Sequence, residues 1–272
     1  MVEDLGPYRS ALARGPSQKV FTELCDLLGD GGRGHDAPVV TYLEAHLRSW
    51  PTHIPRRAPE RWWVAAGYAD EHVPALRLCD TLDHELFSMA GGDAMFFESL
   101  LEVHRGWRRV ELEGVDDTVC AALGHMEGVG LRSIALVYGW TFDDDVEVLA
   151  ELPAFETVVE FDLSRCKVKD LGVLAGTPLW RGLEVLRAPR NAIEGEGLER
   201  ALGSSQAATL RRMDLRYNPI GEVGARALAS SPWLGNLEWL GLYVEDAGEL
   251  GAEALGASAT LPGHISAYWR GR

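Results

Sequence analysis

The stretch LEVLRAPRNAI, residues 183–193, decides how the rest of this chain is interpreted. A second stretch, LRRMDLRYNPI, begins 27 residues later at Leu210 and follows the same pattern. In both stretches apolar residues occupy positions 1, 4, 6 and 11, and an asparagine occupies position 9. Self-similarity at a fixed interval of this length indicates a repeat architecture rather than an ordinary globular sequence.

Weaker copies of the pattern precede and follow these two. The copy from Val158 has Cys166 in place of the asparagine, and the copy from Leu131 has a Gly139-Trp140 turn. Successive copies are spaced by 28, 24, 27, 25, 27 and 27 residues, within the range of one repeat class. The first positions of the seven copies are Cys79, Trp107, Leu131, Val158, Leu183, Leu210 and Leu237.

The alternation within each copy predicts a short strand. Alternate apolar side chains point inward, and the residues between them face outward. The asparagine turns the chain, and its amide group can bond backbone groups that the turn leaves free, so that neighbouring copies form a ladder. A cysteine at that position fills the same space but is a weaker hydrogen-bonding group.

A second recurring phrase follows the strands. It reads GEGLERALGSS from Gly195 and GEVGARALASS from Gly221, and related stretches begin at Gly92, Asp143 and Gly248. An acidic residue that opens a run of alanine and leucine is favourable in the first turn of a helix, where it complements the helix dipole. Most repeats are therefore predicted to have a helix behind the strand.

On these motifs the chain resembles the helix-backed, ribonuclease-inhibitor-like branch of the leucine-rich-repeat proteins over about residues 79–260. The resemblance implies an α/β fold: a horseshoe-shaped solenoid with parallel strands on its concave face and helices on its convex face. It also implies a protein that binds another macromolecule. The alternative is one α/β domain of alternating strands and helices. Asparagine turns at fixed intervals disfavour that alternative.

The sequence predicts three segments. Residues 1–78 do not repeat, and apolar residues at helical spacing over 20–28 and 39–50 predict a helical N-terminal cap, joined by a flexible link over 29–35. The alternative for this segment is a small accessory domain for signalling or docking. Residues 79–260 are predicted to form about seven coils. Residues 261–272 are predicted to form a C-terminal cap through Ile265, Tyr268 and Trp269.

Composition favours a cytoplasmic protein. No apolar stretch approaches the ~20 residues that span a bilayer, and the N-terminus lacks the basic and apolar regions of a secretory signal. The four cysteines, Cys25, Cys79, Cys120 and Cys166, are scattered singly, which predicts free thiols in a reducing compartment. Lysine occurs only at Lys19, Lys167 and Lys169 beside abundant alanine, glycine and arginine, a bias typical of high-GC bacterial genomes.

The formal net charge of −15 argues against nucleic-acid or anionic-membrane partners, which require a basic surface. The outward strand positions nevertheless change from acidic in the early copies to basic and then aromatic in the later ones. Tryptophan, tyrosine and arginine are the residue types enriched at interface hot spots. The predicted partner-binding residues are Arg187, Arg190, Arg212, Asp214, Arg216, Tyr217, Trp239 and Tyr243. A secondary acidic patch is predicted at Glu111, Glu113, Glu160 and Asp162.

Two structural alternatives apply to these residues. Arg187, Arg212 and Asp214 can form a cross-strand ladder of ion pairs, each worth less than ~1 kcal/mol, that only solvates the surface. Trp239 can instead lie beneath the C-terminal cap.

Motifs for catalysis or metal binding are incomplete. His84-Glu85 lacks the second histidine of a zinc helix, and the acidic run 143–145 lacks the ligand spacing of a calcium loop. The glycine-rich stretch 29–35 lacks the lysine of a phosphate loop, and Cys120 lies in a helix-core context. No catalytic residue, metal or cofactor is therefore predicted.

The sequence favours a non-catalytic protein-protein interaction module, a scaffold, sensor or regulator, whose partner is another protein such as an effector, toxin or protease. Two alternatives of related class are a proteinaceous inhibitor or immunity-type protein and a GTPase-activator-like regulator. A third is a hydrolase within residues 1–78.

Overall fold

The computed structural model divides the chain into two compact units, Met1–Val110 and Glu111–Arg272. The structure describes residues 5–29, 37–51, 54–68, 73–83, 86–87, 96, 101, 106–136 and 141–272. The boundary between the compact units differs from the division after residue 78 that the repeat pattern suggests, and that three-segment division stays a prediction.

The described part of the first unit is mainly helical. Its helices are α1 (Gly6–Leu12), α2 (Gln18–Leu28), α3 (Ala37–Leu47) and α4 (Glu60–Tyr68). Helix α2 begins where the Ser17 hydroxyl accepts a hydrogen bond from the Val20 amide at 3.2 Å, and it buries the face from Val20 to Leu28. The helical spacing seen in the sequence over 20–28 and 39–50 is confirmed by α2 and α3. The capping role of residues 1–78 stays a prediction.

Parallel pairing in the first unit includes a segment that precedes the first copy of the repeat pattern. Strands β1 (Thr81–Leu82) and β2 (Arg109–Leu112) pair in parallel, with Leu82 opposite Val110. Arg57 lies in the segment between α3 and α4, which contains Pro51, Pro55 and Pro59, and it forms a further parallel bridge with Thr81. Asp80 fixes this segment, because its carboxylate accepts hydrogen bonds from the Arg56 backbone amide at 2.9 Å and from Arg56 Nε at 2.8 Å.

The second unit contains five short strands that pair in parallel, each with the next in the chain. They are β3 (Ser133–Leu136), β4 (Glu160–Asp162), β5 (Val185–Arg187), β6 (Arg212–Asp214) and β7 (Trp239–Gly241). All seven strands begin two residues after the first position of a copy, and all seven first positions are buried. The repeat register derived from the sequence is therefore confirmed.

Helices follow most strands of the second unit. They are α5 (Asp117–Gly124), α6 (Asp143–Ala150), α7 (Pro178–Arg181), α8 (Gly195–Leu202), α9 (Gly221–Ser230), α10 (Val244–Ala247), α11 (Glu249–Ala257) and α12 (Gly263–Trp269). The acidic openings Asp143, Glu196, Glu222 and Glu249 lie in first turns, as the sequence predicted. After β4 the chain instead forms a 3₁₀ helix, Leu171–Leu174, before the four-residue α7.

Glycines allow adjacent helices to pack closely behind the strands. A Cβ on Gly195 would lie 2.5 Å from both the Gly224 nitrogen and the Ile220 carbonyl oxygen. A Cβ on Gly251 would lie 2.7 Å from the Ala225 Cβ. Gly195 and Gly251 are therefore required by close contact between neighbouring repeats. Gly221 and Gly248, which also open copies of the phrase, have φ of 58° and 71° and are required by turn geometry instead.

Asn191 and Asn218 form the expected ladder. The Asn218 amide nitrogen donates to the carbonyl oxygens of Ala188 and Leu215, both at 2.8 Å, and its oxygen accepts from the amides of Asn191 and Ile193. Asn191 likewise donates to the preceding coil, to the Leu163 carbonyl at 2.8 Å. At the equivalent position, Cys166 donates from its thiol to the Leu136 carbonyl at 3.8 Å, which is a weaker contact than an amide hydrogen bond.

The C-terminal helix α12 follows the expected cap in part. Ile265 and Trp269 are buried, four residues apart on one helical face. Tyr268 is 52% exposed, so its side chain is not buried against the last coil as those of Ile265 and Trp269 are. The capping role of residues 261–272 stays a prediction.

Some sequence predictions lie outside the described residues. They concern His84, Glu85, most of the phrase that begins at Gly92, residues 30–35 of the link and the Gly139-Trp140 turn. Among the helices that the structure does describe, none is both long enough and apolar enough to cross a membrane.

Candidate protein-binding site

Most of the predicted partner-binding residues lie together on the outward face of β5 to β7 and the turns that follow these strands. Arg190, Arg212, Tyr217, Trp239 and Tyr243 are exposed, and Arg187 and Arg216 are partly exposed. Asp214 is buried, so the expectation that it faces a partner is corrected. Its carboxylate is turned to the side chain of Arg216, two residues further along the chain.

Asp214 holds Arg216 in one geometry. The Asp214 carboxylate accepts hydrogen bonds from Arg216 Nε at 2.8 Å and from Arg216 Nη2 at 2.5 Å, and also from the Arg216 backbone amide at 3.2 Å. These hydrogen bonds, with the attraction between opposite charges, raise the pKa of Arg216, so the guanidinium stays charged. A two-point contact of this kind fixes the plane of the guanidinium as well as its position.

Trp239 lies flat on its own strand beside Arg216. A Cβ on Gly241 would come within 2.3 Å of the Trp239 indole ring, so only glycine leaves room for this ring position. The Arg216 guanidinium carbon lies 5.6 Å from the ring centre, within cation–π range. Arg212 is the register partner of Trp239 on β6. Trp239 remains exposed, which contradicts the alternative that it lies beneath the C-terminal cap.

Tyr217 and Tyr243 form the other half of the site. Their ring centres are 5.1 Å apart in an edge-to-face arrangement, and the Arg190 guanidinium lies 4.4 Å from the Tyr217 ring centre. A hydrogen-bonding interaction with the Tyr243 side chain raises the pKa of Tyr217. We name Arg190, Arg216, Tyr217, Trp239 and Tyr243 the aromatic strip.

Asp246 positions both tyrosines, and sequence reasoning missed it. One oxygen of its carboxylate accepts hydrogen bonds from the backbone amides of Tyr217 at 3.0 Å and Tyr243 at 3.1 Å. Acidic residues that open helices were interpreted only as partners of the helix dipole. The sequence gives no sign that such a carboxylate also bridges two neighbouring coils.

The turns that present the strip have an unusual backbone. Arg165, Arg190 and Tyr217 occupy the same position in successive copies, immediately before Cys166, Asn191 and Asn218, and have φ of 63°, 60° and 62°. The left-handed region costs a non-glycine residue about 1–2 kcal/mol. Because the conformation recurs at one position in three coils, we attribute it to the turn geometry that the ladder imposes.

The predicted acidic patch does not form a free acidic surface. Glu160 is ion-paired with Arg187 across β4 and β5, and Glu111 is buried. Asp162 is partly exposed and accepts a hydrogen bond from the Ser164 amide at 2.8 Å, while Glu113 is exposed. The Arg187–Glu160 pair agrees with the alternative of cross-strand ion pairs, although its acidic partner differs from the one expected.

A cavity of about 330 Å³ adjoins the strip, between β7 and helix α12. Its walls include Trp239, Leu240, Tyr243 and, from α12, His264 and Tyr268. His264 Nε2 lies 3.0 Å from the Glu238 carbonyl oxygen. His264 and Tyr268 were not predicted as site residues, yet their four-residue spacing, which places both on one face of a helix, was a signal in the sequence.

Three of the four thiols, those of Cys25, Cys79 and Cys120, are poor nucleophiles. Burial raises the pKa of Cys25 to about 12 and that of Cys79 well above its usual value. Partial burial and then Asp117 raise the pKa of Cys120. All four cysteines are free thiols. Within the described ranges, no group of three or more histidine, cysteine or acidic side chains is placed to hold a metal ion.

The comparison with known proteins agrees with the repeat pattern. The model of a family described as Leucine Rich repeat matches residues 206–229, which contain β6 and most of α9. No curated protein matches the chain. Together with the parallel strands and the helices between them, the family match supports a leucine-rich-repeat protein of α/β architecture.

Proposed function

We propose that this chain is a non-catalytic interaction module that binds a partner protein through the aromatic strip. The coarser conclusion, a protein-interaction module, follows from its leucine-rich repeat. The finer proposal is that the repeats form a ribonuclease-inhibitor-like horseshoe and that the strip lies on its concave face.

The observation that carries the proposal is the clustering of Tyr217, Trp239 and Tyr243, all exposed, around two arginines on adjacent coils. Exposed aromatic side chains in mutual contact are unusual where a surface only needs to be solvated, and interface hot spots are enriched in tryptophan, tyrosine and arginine.

Preorganisation supports the same proposal. Ordering a long side chain at an interface costs about 0.5–1.5 kcal/mol. Arg216 is already held by Asp214, and the tyrosine backbones are held by Asp246. A partner would therefore meet a surface whose main contacts are fixed before binding.

We further propose that the protein is a bacterial, cytoplasmic regulator. The scarcity of lysine and the four free thiols support this proposal. The strip itself is locally basic in a chain of net charge −15, which favours an acidic or aromatic contact surface on the partner.

Site-specific photo-crosslinking tests the proposal with a matched pair of positions. Tyr217, 49% exposed on the strip, and Val223, 48% exposed on helix α9, belong to the same repeat. A benzophenone amino acid is placed at either position in the full chain, and the variants are irradiated in a lysate of the organism from which the sequence comes. A discrete crosslinked protein from position 217 but not from position 223 is expected. Equal labelling, or labelling from position 223 alone, would reject the strip as the binding surface.

A further inference from the structure

We propose that the open edge of β7 binds an extended peptide segment of a partner protein as an additional parallel strand. This inference rests on the proposed function and deepens it, because it names the chemistry of part of the partner. The peptide would occupy the cavity between β7 and α12.

The hydrogen bonds of β7 leave one edge unused. The Trp239 amide donates to the Arg211 carbonyl at 3.1 Å, and the Gly241 carbonyl accepts from the Leu215 amide at 2.8 Å. Because backbone groups of successive strand residues point to opposite edges, the N–H and C=O of Leu240 point away from β6. In the described part of the chain no hydrogen bond reaches either group of Leu240.

The next outward acceptor on this edge is already occupied. The Glu238 carbonyl oxygen lies 3.0 Å from His264 Nε2 of helix α12. The available edge is therefore short and lies at Leu240, toward the cavity. A short edge with one blocked end limits uncontrolled strand addition, which long free edges invite.

Leu240 also differs from the equivalent residues of the preceding strands in how far its side chain is buried. Leu186 and Met213, at the same position of the two preceding strands, are completely buried. Leu240 is only partly buried and lines the cavity together with Ile265 and Trp269. In β7, the side chain at this core position is thus partly exposed, and it belongs to the same residue whose backbone groups point away from β6.

These features define the occupant as a peptide rather than a compact ligand. Strand addition uses main-chain hydrogen bonds for affinity and side-chain pockets at alternate residues for specificity. The cavity volume of about 330 Å³ lies at the small end of the range for ligand sites, so it suits one or two side chains of an extended segment.

The charge next to β7 indicates which residue type the peptide carries on its outward face. Arg212 is exposed beside Trp239, and no ion pair joins it to another described residue. We therefore infer a segment that alternates an apolar residue, facing Leu240, with an acidic residue on the outward face.

The test begins with a display library of random dodecapeptides selected on the full chain. Each enriched peptide is then synthesised with a single N-methyl group at each backbone nitrogen in turn. Strand pairing predicts alternation: methyl groups at every second residue lower the affinity tenfold or more, and those between lower it less than twofold. Hydrogen exchange of the Leu240 amide should slow at least tenfold on peptide addition, while that of the Gly241 amide changes little.

Two variants complete the test. Leu240→Lys should lower the peptide affinity at least tenfold, and Val223→Lys on helix α9 should leave it within twofold. The N-methyl scan uses only the unaltered chain, so it remains decisive if Leu240→Lys does not fold.

Several results would overturn the proposal. They are the absence of enriched peptides, N-methyl effects without alternation, and an unchanged exchange rate at Leu240. Protection of Leu240 without peptide, with dimers in sedimentation, would assign the edge to a second copy of this chain instead.

Tyr217→Ser separates this proposal from the proposed function, because Tyr217 does not line the cavity. Its peptide affinity should stay within twofold of the unaltered chain, while its capture of the partner falls. If Tyr217→Ser captures the partner as well as the unaltered chain does, and the peptide results are as expected, the aromatic strip is rejected as the binding surface and strand addition at β7 is supported.

Discussion

Tyr217 and Asn218 are consecutive residues with opposite environments. Tyr217 is 49% exposed and contacts other side chains of the aromatic strip. Asn218 is 1% exposed, and its side chain forms hydrogen bonds with backbone groups. The left-handed conformation of Tyr217 produces this reversal, because it turns the chain between the two side chains. One turn thus belongs to both the inner ladder and the outer strip.

Fold and recognition thus use separate contacts in the same coil. The ladder satisfies backbone groups of the turn through Asn191 and Asn218. The residues of the strip are instead held by the carboxylates of Asp214 and Asp246. We therefore expect substitutions in the ladder to change stability and substitutions in the strip to change binding.

The largest effect on stability is expected for Asn218→Leu. Leucine leaves the Ala188 and Leu215 carbonyls and the Asn191 and Ile193 amides without their present partner. Since a buried unsatisfied group costs about 1–3 kcal/mol, we expect the free energy of unfolding to fall by about 3–5 kcal/mol in denaturant titration. The exposed Asn236→Leu is the control, with a change below about 1 kcal/mol. Similar losses for both would remove the special role of the ladder.

A smaller loss is expected for Gly195→Ala, which overpacks the contact between helices. The added methyl group would lie 2.5 Å from backbone atoms of the next repeat. Overpacking of this kind costs about 1–3 kcal/mol in unfolding free energy. Gly235→Ala is the matched change, because no atom lies within 4 Å of its added Cβ. Equal midpoints of thermal unfolding for the two variants would show that the contact between the helices accommodates the added methyl group without loss of stability.

Asp214→Asn should lower stability slightly and partner affinity more clearly. It keeps the shape of the side chain but weakens its hold on Arg216, so we expect a loss of about 1 kcal/mol in stability. Partner affinity, measured by titration, should fall about tenfold, because Arg216 is released from Trp239. The control is Glu222→Gln, which breaks the Arg226 ion pair on α9. A strip that binds unchanged after Asp214→Asn would contradict the preorganisation argument.

The smallest effect, and a gain, is expected for Cys166→Asn. Asparagine would replace a weak thiol contact of 3.8 Å to the Leu136 carbonyl with an amide hydrogen bond. One such hydrogen bond contributes about 0.5–1.5 kcal/mol, so the midpoint of denaturant unfolding should rise slightly. A loss of stability would show that this turn differs from those of Asn191 and Asn218.

The register of the repeats could be predicted because it depends on local alternation. Every described strand begins where the motif places it, and the exposure of Arg212 and Trp239 follows from the same alternation. The parallel bridge at Arg57 could not be predicted, because that pairing is made by backbone atoms and its segment has no repeat pattern.

Side-chain details of the site were less predictable. Asp214 occupies an outward position, yet Arg216 folds back over it and covers it. Asp246 was hidden in the same way, since its bond to Tyr217 joins residues 29 apart in sequence. Contacts between coils depend on how successive repeats stack, which no single motif contains.

The most direct measurement compares two double variants of the full chain by thermal unfolding and by capture of the crosslinked partner. Trp239→Ala with Arg212→Glu alters the strip and its immediate neighbour, and Val223→Ala with Arg226→Glu makes the same kind of change on helix α9. We predict that both double variants keep their unfolding free energy within about 1 kcal/mol of the unaltered chain, as expected for exposed positions. Only the first should lose the partner, by a factor of 100 or more. Retention of the partner by the first variant, or its unfolding, would contradict the separation of ladder and strip.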